Sequence, residues 1–302
     1  MRIVSAGTFR FIGINHCHTK KGHAMLLGFN GATTMKSDLV SDITAAGAAG
    51  FKALEIWAAK MDEYLKDHTT TDLKALFDAH GLAPASINSI EFVTFRPEGE
   101  YEAIQARCRR LCIIARDLGC EKIVLVPSPT PEGTVSRHAI KHESVRVLRD
   151  LADIARPYGV KLAFEFLGFG WCSVRTLDLC WEIVEETDRE EVGLVIDTCH
   201  FYAGGSTLDS IDAVDPAKLL IFHINDVEER PKDTIEDAHR LLPGEGVIPL
   251  DDILARLKGI GFDGFCSIEL FRPAYWERDP GELAAEAREA TGKVLEEHFS
   301  VE

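Results

Sequence analysis

The sequence predicts an α/β chain closed into a (β/α)₈ barrel, and three observations lead there. Eight short apolar or β-branched runs alternate with longer helical patterns, and glycine repeatedly closes a helix just before the next strand. No glycine-rich phosphate turn follows the first strand, as an open doubly wound sheet would want; neither GxGxxG nor a GxxxxGK turn occurs. With 302 residues and 46% hydrophobic content, one large barrel accounts for the chain better than two average domains.

Residues 1–24 precede the first clear alternation and are expected to form a poorly ordered extension. They carry His16, Cys17, His18 and His23, whose spacing matches no closed zinc pattern. The barrel is expected to occupy 25–302. Its strands are read at 25–30, 52–57, 82–90, 121–127, 160–166, 192–197, 219–225 and 265–270. Helices are read near 37–49, 69–80, 99–118, 137–157, 175–187, 207–214, 250–260 and 281–298. Gly50, Gly81, Gly119, Gly159 and Gly261 stand just past five of them. The stretch 226–249 is a long polar connection after the seventh strand, and a loop of that length on the C-terminal face of a barrel commonly carries function.

Lys and Arg number 33 against 49 Asp and Glu, a formal charge of −16, and such a surface repels phosphate backbones and anionic lipid. Nucleic acid and membrane are therefore not expected partners. The eight cysteines lack CxxC spacing and read as buried thiols of a reducing, cytoplasmic compartment. A homo-oligomer is left open.

In a barrel the side chains at the C-terminal strand ends face the rim where ligands bind. Four consecutive strands each supply one ionisable group there: Glu165 in LAFEF, Asp197 in LVID, His223 in IFHIND and Glu269 in CSIEL. An ionised carboxylate in apolar surroundings costs several kcal/mol unless a cation offsets it. Three carboxylates and an imidazole converging on one point call for one divalent ion. Mixed O and N ligation suits Mn²⁺, Co²⁺ or Zn²⁺ better than Mg²⁺. His200, in DTCH, should stand beside this site and touch the substrate. Glu55 and Glu91, near other strand ends, are candidates to accept a substrate hydroxyl. No Schiff-base lysine, GxSxG elbow or nucleophile-type cysteine is evident.

The run EF, DTCH, FHIND and IELF resembles the xylose-isomerase-like barrels, a superfamily of sugar isomerases, epimerases and apurinic endonucleases. NGATT, LEIW, PYGVKLAFEFLG, VGLVIDTCHF, DAHRLLPGEGVIPLD and SIELFRPAYW are similar, within it, to the inosose isomerases, which act on 2-keto-myo-inositol. The resemblance covers Met25 to the C-terminus. It implies metal ligation by Glu165, Asp197, His223 and Glu269, with Glu165 and Glu269 as the acid and base of a cis-enediolate isomerisation. It further implies substrate contacts from His200, Arg240 and Arg272, with Arg230 a weaker candidate, and a small polyhydroxy-ketone substrate. Ketose 3-epimerase and keto-cyclitol or dehydroshikimate-like dehydratase are the alternatives. An endonuclease reading, which would add Asp237 and His239 as metal ligands, is disfavoured by the acidic charge. Phe169 and Trp171 stand where relatives can place polar groups, which puts the substrate-selecting wall in question.

Overall fold

The structure is a computed structural model that describes residues 24–302. The expectations for His16, Cys17, His18 and His23 lie outside the described residues. Eight parallel strands form the barrel: β1 (Ala24–Asn30), β2 (Ala53–Trp57), β3 (Ala83–Ile90), β4 (Lys122–Leu125), β5 (Lys161–Glu165), β6 (Val192–Asp197), β7 (Leu219–Ile224) and β8 (Phe265–Ile268). Each pairs with the next, and β8 returns to β1 with Leu26 opposite Phe265, so the sheet closes without an edge. Ala24, read from sequence as part of the extension, already belongs to β1 and pairs with Ser300 near the C-terminus.

Ten helices wrap the described barrel: α1 (Leu39–Ala48), α2 (Ala58–Tyr64), α3 (Thr70–His80), α4 (Glu98–Leu118), α5 (Arg137–Ala155), α6 (Leu177–Thr187), α7 (Thr198–Gly204), α8 (Leu208–Asp212), α9 (Leu250–Gly259) and α10 (Pro280–Leu295). The five glycines expected to end helices all take positive φ, as closure of a helix in the left-handed conformation requires. The sequence reading missed α2 and α7. Both start on the residue after a strand ends, so no loop signal separates strand from helix.

Strand alternation sorts the core into two layers. Leu54, Ile56, Phe164, Leu194, Ile196, Phe222 and Ile268 face the helices, whereas Ala53, Val124, Ala163, Val195, Ile221 and Phe265 pack inside the barrel. Because the side-chain period is two, Glu55, Glu165, Asp197, His223 and Glu269 share the inward parity and sit above that inner plug. The plug fills the floor, and the charged groups collect at the C-terminal mouth.

The 226–249 connection is more ordered than a polar loop suggests. Asp226–Val227 pairs antiparallel with Arg240–Leu241. The Asp226 carboxylate accepts the backbone N–H groups of Val227, Gly244 and Ile248 at 2.9, 3.2 and 2.9 Å. This staple folds the loop back over the barrel and carries Arg240 inward.

Candidate metal centre

Glu165, Asp197, His223 and Glu269 converge as the sequence predicts. Each offers one ligand atom, and these atoms lie within 4.8 Å of one another, all four residues being buried. His223 Nδ1 is 2.9 Å from Glu165 Oε1, 3.4 Å from Glu269 Oε2 and 4.0 Å from Asp197 Oδ2. His223 and Asp197 are cross-strand partners, which brings them to the same height on adjacent strands. The Asp197 carboxylate also caps α7, since Oδ1 accepts the His200 N–H at 2.8 Å. Its Oδ2 is left to face the cluster, where Asn225 Nδ2 donates to it at 2.8 Å.

Charge explains why these groups tolerate burial together. Burial alone would pull His223 down, but the carboxylates of Glu269, Glu55 and Glu165 outweigh it and hold the imidazole well above its ordinary value. Burial raises Asp197 too, yet Arg240 and the two histidines dominate and bring it to about 2. Glu269 goes the other way: burial pushes it up, helped by Glu165 and Asp197 and opposed by His223 and Arg240. Three buried carboxylates crowded around one imidazole fit a divalent cation, which relieves their mutual repulsion through the mixed O and N donor set that such ions accept.

Arg240 is fully buried and bridges the centre to the loop. Its Nη1 donates to Asp197 Oδ2 at 2.6 Å and to Glu269 Oε2 at 3.1 Å, while Nε donates to Asp237 Oδ1 at 3.0 Å. Its Nη2 lies 3.1 Å from His200 Nε2. A guanidinium can only donate, so His200 accepts at Nε2 and carries its proton on Nδ1. Burial lowers His200 further toward the neutral form. The Nδ1 atom is buried and has no partner among the described residues.

The structure places two expected substrate contacts, Glu55 and Arg272, outside the cavity lining. Glu55 is fully buried beneath the cluster, and its carboxylate is taken by His223 Nε2 at 2.9 Å and Asn88 Nδ2 at 3.0 Å. These contacts set it against the histidine, where it can fix the orientation of the ring. Arg272 lies on the rim, where Nη1 donates to Glu228 Oε1 at 2.8 Å and to the Ala238 and Arg240 carbonyls, so it pins the long loop. Arg230 also pairs with Glu228 at the surface. Asp237 is engaged by Arg240, and His239 Nδ1 accepts the Glu236 N–H, so neither joins the cluster. Sequence reasoning missed Asn30, Asn88 and Asn225 as partners of the centre. The first two share the inward parity of their strands with the charged residues, a signal that was available.

A cavity of about 180 Å³ opens directly above the centre, lined by Glu165, Glu269, His200, Arg240 and Glu91. Trp57, Phe92, Phe169, Trp171 and Phe271 also line it. Phe169 meets the His200 ring edge-on at 4.8 Å, and Phe92 meets Trp171 edge-on at 6.2 Å. Phe92 holds φ at 56°, a left-handed conformation costing about 1–3 kcal/mol for a side chain of this size. A larger groove of about 560 Å³ between the start of α1 and α2 shares Trp57 with this cavity but touches none of the clustered residues. We therefore assign function to the smaller one.

Residues 43–294 match the family described as xylose isomerase-like TIM barrel. The chain belongs to that family. Among these barrels, the inosose isomerase of Halalkalibacterium halodurans is 38% identical over 280 residues, covering 92% of this chain and 99% of its own. The inosose isomerase of Bacillus subtilis is 39% identical over 279 residues, covering 92% of this chain and all of its own. A crystal structure of the IolI protein with a bound zinc atom superposes with a TM-score of 0.88 at 39% identity, covering 91% of this chain and all of that one. No helix among the described residues is long and apolar enough to cross a membrane.

Proposed function

We propose that this chain is a divalent-metal-dependent inosose isomerase, which moves the carbonyl of 2-keto-myo-inositol to the neighbouring ring carbon. The observation that carries the reading is the convergence of Glu165, Asp197, His223 and Glu269 beneath a small cavity lined by polar and aromatic side chains. The near full-length similarity to inosose isomerases supports the substrate. Glu165, Asp197, His223 and Glu269 would hold Mn²⁺, Co²⁺ or Zn²⁺, with Mg²⁺ less suited to the imidazole. Such an ion supplies Lewis-acid polarisation of a ketone oxygen.

The protein's own groups then do the following. His200 lines the cavity and is placed beside the substrate. Arg240 keeps the carboxylate side electrically balanced. Trp57, Phe92, Phe169, Trp171 and Phe271 cover the apolar face of a ring and exclude water, and the exposed Glu91 is placed to accept a hydroxyl. Proton transfer between the ring carbons, through a cis-enediolate, requires a glutamate of the centre as acid and base. The seven described cysteines are all buried and unpaired, which supports a reducing, cytoplasmic setting. The charge of −16 supports a small-molecule partner over nucleic acid.

The test is incubation of the Mn²⁺- or Co²⁺-loaded protein with 2-keto-myo-inositol in deuterated water, followed by NMR. An isomer of the same skeleton with deuterium at a ring carbon is expected. Glu165→Gln should lower the rate at least about 100-fold, the usual scale for loss of a positioned acid or base. Absence of conversion with metal bound would overturn the substrate and redirect the search to linear ketoses; a product lighter by water would identify a dehydratase.

A further inference from the structure

The two glutamates of the centre are not equivalent. Among the described residues, Glu165 makes one hydrogen-bonded contact, from Oε1 to His223 Nδ1 at 2.9 Å, and it borders the cavity. Glu269 is held at both oxygens. Its Oε1 accepts Asn30 Nδ2 at 3.1 Å and Asn88 Nδ2 at 2.9 Å, while its Oε2 faces Arg240 Nη1 at 3.1 Å and His223 Nδ1 at 3.4 Å. The orientation of both amides is fixed independently. Asn30 Oδ1 is occupied by the Ala32 N–H at 2.8 Å, which turns Nδ2 toward Glu269. Asn88 Nδ2 stands between two carboxylates, Glu55 at 3.0 Å and Glu269 at 2.9 Å, where only an NH₂ group fits. Asn30 is 0% and Asn88 3% exposed, so no water competes for these bonds.

We propose that Asn30 and Asn88 are positioning residues that clamp Glu269 Oε1, reserving Oε2 for the cation and leaving Glu165 as the only proton carrier. With two N–H groups already on it, Glu269 Oε1 has no lone pair left to aim at a ring carbon, whereas Glu165 keeps an oxygen without a partner among the described residues. In the isomerisation the C–H bond of the carbinol carbon breaks and its proton goes to Glu165. The electron pair becomes the C=C bond of the enediolate, and the same carboxylic acid returns a proton to the former carbonyl carbon. The remaining hydroxyl proton passes from the new carbonyl oxygen to the old one, so nothing is gained or lost. A single carboxylate lies on one side of the enediolate, so removal and return take place on the same face. The clamp is independent of the isomerase reading; the assignment of Glu165 rests on it.

The test uses Asn88→Ala and Asn30→Ser in the full chain. The serine retains an acceptor for the Ala32 N–H but is too short to reach Glu269, which guards against loss of the local turn. Each variant is expected to bind Mn²⁺ about tenfold more weakly, as loss of a partner outside the ligand shell commonly does. Each should also lose visible absorption intensity with Co²⁺, because a released Glu269 can bind through both oxygens. Unchanged affinity and spectrum in both folded variants would overturn the clamp, whatever the substrate proves to be. On the ketone, the wild type should add and remove deuterium on one face; delivery to opposite faces would show that Glu269 carries protons and overturn the assignment of Glu165. Failure of every ketone to react would count against the isomerase reading and against Glu165, while the metal measurements would still decide the clamp.

Discussion

Glu55 shows how a residue's inward position can be read from sequence without its neighbours. Its inward position near a strand end is visible in the sequence, but whether an inward carboxylate meets substrate or histidine depends on the height of its neighbours in the barrel. Asn30 opposite Glu55 and Ser267 opposite His223 fix that height. Glu55→Leu should weaken metal binding by about 10–100-fold with little change in the cavity wall, measured by titration with Mn²⁺. Arg240 and Arg272 diverge for a similar reason. Arg240→Met leaves Asp197 and Asp237 without their cation and should cost the metal-free protein about 3–5 kcal/mol in urea unfolding, partly recovered when Mn²⁺ is added. Arg272→Ala, on a half-buried rim pair, should cost under about 1 kcal/mol. Equal losses for the two arginines would contradict their different placement.

At the scale of elements, the site depends on close packing that leaves no room for a methyl group. A Cβ on Gly168 would lie 2.3 Å from the His200 carbonyl and 2.5 Å from the Gly204 nitrogen, so α7 rests directly on the segment after β5. Gly168→Ala should displace α7 with His200, costing about 1–3 kcal/mol and lowering turnover more than metal affinity. Another element is pinned by charge. The Lys60 ammonium, on α2, donates to the Gly31 and Thr34 carbonyls and to Asp42 Oδ2 at 2.9, 2.7 and 2.7 Å, tying the NGATT turn to α1. Burial lowers Lys60 and raises Asp42, so the pair holds its charge only through mutual contact. Lys60→Met should cost about 3–5 kcal/mol, and adding Asp42→Leu should recover most of it; additive losses in a denaturation cycle would sink this account.

For the whole molecule, the four clustered residues come from or just follow β5, β6, β7 and β8, so a cation bound among them would fasten half of the barrel mouth. Chelation should lower the melting temperature, and Mn²⁺ at 100 times its Kd should restore about 2.7 kcal/mol. Coincident melts with and without chelator would remove the cation from the structural account. The sequence alone determined the eight strands, the helix-closing glycines and the four convergent residues. Each depends on a local period of two or on a turn conformation, which neighbouring residues set by themselves. Tertiary structure decided what those residues face. It folded the 226–249 loop inward to bury Arg240, turned Arg272 outward, started α7 on Asp197 and brought Asn30 and Asn88 onto Glu269. Hydrogen bonds between groups far apart in the chain form only after the barrel has closed and set the relative heights of its strands, and no local pattern encodes that register.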